Sequence, residues 1–89
     1  MALDMFMDVV RQAAQETKTL MLTYSSPITG KFSTREVEPY EIGFNSKGQE
    51  VFWAFDIIGG SIKQFITSGI TQVELTENVF SPQFPIQIS

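Results

Sequence analysis

Apolar residues along this chain change their period once, near residue 18, and the change divides a helix from a run of strands. Between residues 2 and 17 they recur at helical spacing. Leu3, Phe6, Val10 and Ala13 fall on one stripe, Met5 and Val9 widen it, and Arg11, Gln12, Gln15 and Glu16 lie mostly off it. The spacing predicts an amphipathic helix over 2–17, with Asp4 in the first turn, where a carboxylate suits the positive end of the helix dipole. Such a helix covers an open end of a sheet or offers its Met-rich face to a partner.

From residue 19 the period becomes two. Leu20, Leu22 and Tyr24 point one way and Thr19, Met21 and Thr23 the other, which predicts a half-buried strand over 19–25. Ser25 to Gly30 forms a turn, with Pro27 fixing φ and Gly30 free to adopt a positive one. A long strand follows over 31–44. It cannot run straight, because Pro39 lacks a ladder donor, so a bulge or sharp bend is expected there, and Gly43 allows more curvature. Asn45-Ser46-Lys47-Gly48 makes a hairpin turn into a strand over 49–58. Its run Val51 to Ile58 is the densest apolar and aromatic block in the chain and reads as buried on both faces. Gly59-Gly60 turns into a strand over 61–66, and Thr67-Ser68-Gly69 breaks it from a last strand over 70–76.

A helix and five short antiparallel strands that bend strongly predict a mainly β fold, a small barrel that disposes of most sheet edges. Residues 1–79 read as one domain. Residues 80–89 differ in kind: Pro82 and Pro85 make them extended, and Phe80, Phe84, Ile86 and Ile88 make them apolar. This tail docks on its own barrel, docks on a neighbouring subunit, or stays disordered.

Composition narrows the function. At 89 residues the core is modest and the domain marginal alone, which favours an oligomer. There is no cysteine to supply a disulfide or thiolate metal site, and the eight Phe, two Tyr and one Trp compensate in part. The formal charge of −4 does not favour general binding to phosphate backbones. Asp4 and Asp8 interrupt the only apolar stretch near the N-terminus, and no run is long enough to span a bilayer, so a cytoplasmic protein without membrane contact is expected. Without His or Cys the chain lacks the usual neutral-pH base and the most reactive nucleophile, so no enzyme, cofactor or metal is expected.

Two family resemblances can be placed on residues. The helix and five bent strands, with Phe65 to Leu75 as apolar strand, short turn ending in Gly69 and apolar strand, resemble the Sm-like (LSm) fold and its second motif. The region from Leu20 to Ser81 resembles the WYL family of bacterial and phage proteins, whose domain is itself an Sm-like barrel. Leu22-Thr23-Tyr24, a Gly-containing turn and Arg35-Glu36-Val37-Glu38-Pro39 are similar to that family's Tyr, turn, Arg-x-Val-x-Pro run. Phe52-Trp53-Ala54-Phe55-Asp56 stands where the family has its Trp-Tyr-Leu strand, though the tripeptide is absent. Ile62 to Ile70 stands where the family has Arg-x-Phe-Arg-Leu-x-Arg-Ile, and of the three basic positions only Lys63 stays basic, the others being Ile66 and Gly69. The Sm signature of the first motif has no good match, and Ser68 stands where an Arg commonly precedes the glycine.

The WYL resemblance implies that Arg35 and Lys63 line a face that binds nucleic acid or a nucleotide-like ligand. The plainer reading pairs each with nearby carboxylates, Glu36, Glu38 or Asp56. Tyr24 offers a ring for base stacking, or is simply a half-buried strand residue with its hydroxyl at the rim. Glu36 and Glu38 share a strand face without a third ligand and read as solvated. Asp56, charged within an apolar strand, either pairs with Lys63 across the hairpin or sits at the rim or at a subunit contact. The Sm resemblance implies a homo-oligomeric ring of five to seven subunits with head-to-tail pairing of the fourth and fifth strands, in or next to which Ile62, Phe65, Ile66, Val73 and Leu75 would lie. The leading expectation is a ring that binds single-stranded RNA or acts in RNA metabolism or regulation. The alternative is a structural or small-ligand-sensing module of WYL type with no nucleic-acid binding.

Overall fold

The computed structural model describes residues 3–88, with the side chains of Leu3 and Asp4 excepted; Ala2, Ser89 and the roles given to Leu3 and Asp4 lie outside what is described. The chain forms α1 (Leu3–Glu16), β1 (Lys18–Ser25), β2 (Phe32–Phe44), β3 (Glu50–Asp56), β4 (Ser61–Ile66), a 3₁₀ turn (Thr67–Gly69) and β5 (Ile70–Val79). All strand pairs are antiparallel, in one sheet of order β4-β3-β2-β1-β5. The mainly β architecture with an N-terminal helix is as expected, but the sheet is not closed into a barrel. β4 and β5 are its two edges, and the three-residue 3₁₀ turn carries the chain from one edge to the other. That short link requires strong curvature. The Tyr24 hydroxyl of β1 marks it by accepting a hydrogen bond from Ile66 N at the end of β4, at 3.1 Å.

The helix covers the concave side. Phe6, Val10 and Ala13 are buried against Leu20, Leu22, Val37, Phe52, Ala54, Phe65 and Val73, and Phe6 meets Phe52 edge-on at 6.0 Å. Met7 and Val9 pack against this core, whereas Met5, expected to widen the apolar stripe, is exposed. β3 carries the core as its composition suggests, with Val51, Phe52, Ala54 and Asp56 buried, but Trp53 and Phe55 on its other face are only half-buried.

The helix ends at Glu16 and β3 begins at Glu50, each one residue inside the range expected, and four other boundaries differ for a local reason. β1 starts at Lys18 and β5 runs on to Val79 because these two residues pair with each other. β2 starts at Phe32 because Lys31 belongs to the turn, its carbonyl accepting from Ser26 N at 2.9 Å. β3 stops at Asp56, since the Asp56 carbonyl accepts from Gly60 N at 2.7 Å and closes a turn over Ile57 to Gly60. That turn leaves Ile58 91% exposed. The expected irregularity at Pro39 is present as a register shift between Pro39 and Glu41.

The bulge leaves Tyr40 out of the ladder, and the tail docks there, on its own sheet. Gln87 N donates to the Tyr40 carbonyl at 2.7 Å, and Phe80 and Phe84 flank the Tyr40 ring edge-on at 6.0 and 5.4 Å. The Tyr40 hydroxyl donates to Glu38 at 2.6 Å and accepts from Gln83 N at 3.0 Å. Burial raises this phenol from 10.0 to about 12, with the Glu38 carboxylate adding to the shift against the Gln83 N–H. Phe80 N donates to the carbonyl of Thr17, which holds a positive φ of 49° where the helix hands over to β1.

Candidate functional site

Curvature in β2 brings the turns at its two ends toward one hollow. Its floor is formed by Trp53, Gln64 and Ile66 on the outer face of β3 and β4, with Tyr24 at the end of β1 reaching it from the core side, and its walls are the Ser26–Thr29 and Asn45–Gln49 turns. The hollow holds about 610 Å³, within the range of small-molecule sites. Trp53 and Gln64 are cross-strand partners. The indole of Trp53 also lies against the backbone of Gly43, where an added Cβ would stand 3.1 Å from the ring. Both turns are built by side chains that fold back on their own backbone. Asn45 Oδ1 accepts from Lys47 N and Gln49 N, at 2.9 and 3.0 Å, and Ser26 Oγ accepts from Ile28 N and Thr29 N, at 3.3 and 3.2 Å. The side chains of Gln64 and Lys47 and the Trp53 indole N–H have no hydrogen-bond partner among the described residues.

A second hollow, of about 540 Å³, opens between Met21, Arg35, Asp56, Ile58 and Gly59. Here Arg35 Nη1 donates to Asp56 Oδ2 at 2.7 Å and its Nε donates to Ser33 Oγ at 3.2 Å, while Gly59 N donates to Asp56 Oδ1 at 3.1 Å. Burial pushes the Asp56 carboxyl up, but the Gly59 N–H and the Arg35 guanidinium outweigh it and hold the group below its usual range, with Lys63 adding a smaller pull. Asp56 therefore pairs with Arg35 rather than with Lys63, because Arg35 reaches across from β2 while Lys63 stays exposed on the edge strand. Glu36 and Glu38 are not a solvated pair either. Glu36 accepts from Thr19 Oγ1 at 2.6 Å and from Asn78 Nδ2 at 2.8 Å, bonds that lower its pKa, and Glu38 is buried with Tyr40 and Gln83.

The three residues singled out for ligand binding are thus divided. Arg35 and Lys63 share the neighbourhood of Asp56, and Tyr24 belongs to the other hollow, its ring edge-on to Phe65 at 5.1 Å. Of the residues placed at a subunit contact, Phe65 and Val73 lie in the chain's own core and Leu75 packs against it; Ile66 lines the first hollow and Ile62 is exposed on β4. Trp53, Gln64, Gln49 and Lys47 were not foreseen as a site. The pairing Trp53–Gln64 follows from hairpin register, but their meeting with both turns depends on how far β2 bends. Among the described residues no three His, Cys, Asp or Glu side chains converge on a metal position.

Comparison with known proteins assigns the family. The WYL domain matches residues 5–75, most of the chain. The chain belongs to the WYL domain family. No curated protein matches it in sequence. Among solved structures it is similar to proteasome accessory factor B/C (PafBC) of Arthrobacter aurescens, with a TM-score of 0.72 and 18% identity over 92% of this chain. At that identity the likeness is one of fold. The match spans 14% of the PafBC chain.

Within the WYL frame, Gly69 explains a departure noted in the sequence. The sequence resemblance puts a basic residue at this position, whereas a Cβ at Gly69 would stand 2.5 Å from the Ser25 carbonyl oxygen, 2.8 Å from Pro27 and 2.9 Å from the Tyr24 ring. The first turn has folded down onto the backbone at Gly69, so no side chain fits. With Ile66 beside it, the first hollow of this WYL domain carries Lys47 as its single cation among the described residues.

Proposed function

We propose that this WYL domain is a small-ligand-sensing interaction module, without catalytic activity and without nucleic-acid binding, and that its ligand occupies the hollow floored by Trp53. The observation that carries this reading is the set of polar groups left without partners in a hollow of ligand size, the Gln64 amide, the Lys47 ammonium and the Trp53 indole N–H. Polar groups that hold a fold are paired within it; these are available to something else. The case against nucleic acid rests on charge. Arg35 is neutralised by Asp56, the chain carries −4, and Lys63 is exposed on β4 within the field of the same carboxylate. Within this reading the match to 14% of the PafBC chain supports a module of a kind that also occurs inside a larger protein.

The test is a ¹⁵N NMR titration of the chain, first with a panel of saccharides, nucleosides, nucleotides and amino acids and then with single-stranded RNA at low salt. A panel member is expected to move the Trp53 indole and Gln64 amide signals saturably, and RNA to move nothing. RNA binding that weakens with added salt and on Lys63→Ala would overturn the proposal.

A further inference from the structure

We infer that the hollow at Trp53 takes an uncharged polyhydroxylated ligand, a mono- or disaccharide, rather than an anion or a nucleobase. The inference rests on the ligand-sensing reading and names the chemistry of that site.

Charge is the first argument. Among the described residues the lining includes no carboxylate, and its one cation, Lys47, sits exposed on a turn. A phosphate or carboxylate ligand is held by convergent cations or a fork of guanidinium donors. Here Ile66 and Gly69 stand where the resemblance has basic residues, and the Ser25 carbonyl and Pro27 fill the space a side chain at Gly69 would need.

The kind and spread of the polar groups is the second. Gln64 presents two N–H donors and a carbonyl acceptor, the Gln49 amide nitrogen keeps its donors because only its Oε1 is engaged by Asn45, and the Ser26 hydroxyl accepts from two backbone N–H groups while keeping its own proton. These groups sit on the floor and on both walls. A nucleobase carries its polar atoms in one plane along its edges, whereas each hydroxyl of a sugar both donates and accepts, and successive hydroxyls point in different directions. The lining matches the second pattern.

The third argument is the platform. The Trp53 indole is backed by the Gly43 backbone and half exposed toward the hollow. A flat apolar surface ringed by amides and hydroxyls suits the C–H face of a pyranose, with the sugar's rim of hydroxyls meeting the polar walls.

The chain has a single tryptophan, so its fluorescence reports this hollow alone. The full chain is titrated with glucose, galactose, maltose, sucrose and trehalose, and in parallel with adenosine and adenosine monophosphate. At least one saccharide is expected to give a saturable fluorescence change, and the adenosine compounds none. Gln64→Ala is expected to weaken that saccharide about fivefold, the loss for one net hydrogen bond. Lys63→Ala, next to Gln64 but on the other face of β4 and outside the lining, is expected to leave it unchanged. A saturable response to adenosine or its monophosphate with none to any saccharide overturns the polyol inference and leaves the ligand-sensing reading standing. No response to any compound, with the Trp53 indole ¹⁵N signal also unmoved, overturns both. Saccharide binding indifferent to Gln64→Ala overturns the placement of the ligand.

Discussion

Two hollows of similar size lie on this sheet, and they differ in how their polar groups are spent. Around Arg35 and Asp56 the charged groups are engaged with each other, with Ser33 and with Gly59, and the carboxylate is almost wholly buried, its side chain 6% exposed. Around Trp53 and Gln64 the turns satisfy their own backbones, while the Gln64 amide, the Lys47 ammonium and the Trp53 indole N–H bond to nothing described. The first pattern belongs to structure, since a buried charge is tolerated only when paired. The second belongs to recognition, since exposed amides and an indole N–H contribute nothing to folding until a ligand meets them. The difference therefore separates the arginine that sequence patterning offered as a ligand site from the residues that have the means to be one.

The sharpest way to break this comparison is to place an arginine at Gly69, beneath the first turn that walls the hollow at Trp53. Gly69→Arg places a Cβ 2.5 Å from the Ser25 carbonyl, so either the first turn or the 3₁₀ turn must move. Overpacking against backbone predicts a loss of about 3 kcal/mol or more, read by urea denaturation. A variant that kept wild-type stability would mean that the turn yields easily and that a cationic version of this hollow is open to the fold.

Next in size is the ion pair. Asp56→Ala strands Arg35 and frees Gly59 N. Arg35 is partly solvated, its side chain 36% exposed, so the expected loss is about 2 kcal/mol rather than the larger cost of an orphaned, fully buried charge. The pH dependence has a definite sign. The folded pKa of Asp56 lies below its ordinary 3.8, so the native state binds this proton less readily than the unfolded chain. Its stabilisation is fully present above the ordinary carboxylate range and is lost as pH falls through that range and below it. Unfolding measured from about pH 6 down to about pH 3 is expected to show that decline, and Asp56→Asn to flatten it. An Asp56→Asn profile parallel to wild type would show that the pair does not govern this region.

The same contrast explains what could be read in the sequence. The helix was legible because Phe6, Val10 and Ala13 keep a 3.6 period, and the strands because Leu20 and Leu22 keep a period of two. Pro39 announced its bulge by lacking an N–H. What patterning could not give was curvature. The angle through which β2 bends decides that turns at its opposite ends share one hollow, and that β4 and β5 stay unpaired edges instead of closing a barrel. Partner choice was equally hidden. Lys63 was the nearer candidate along the chain for Asp56, but Arg35 comes from a neighbouring strand with a fork long enough to reach it. Gly69 read as a missing cation; packing shows it to be a required glycine.

The smallest expected effect is the one that most sharpens the comparison. Replacing both Gln64 and Lys47 by alanine removes two exposed polar side chains of the hollow at Trp53. Neither has a partner among the described residues, and both are hydrated in the folded and unfolded chains alike. The double variant is expected to change unfolding free energy by less than about 0.5 kcal/mol, as surface substitutions away from structural features do, and to leave the pH profile set by Asp56 intact. Measured beside Asp56→Ala in the same urea titration, it compares two polar hollows within one molecule. If the double variant cost as much as the loss of the ion pair, these side chains would be holding the two turns together, and the groups assigned to a ligand would belong to the fold. If it costs almost nothing while abolishing the ligand response of Trp53, the hollow carries recognition free of structural duty.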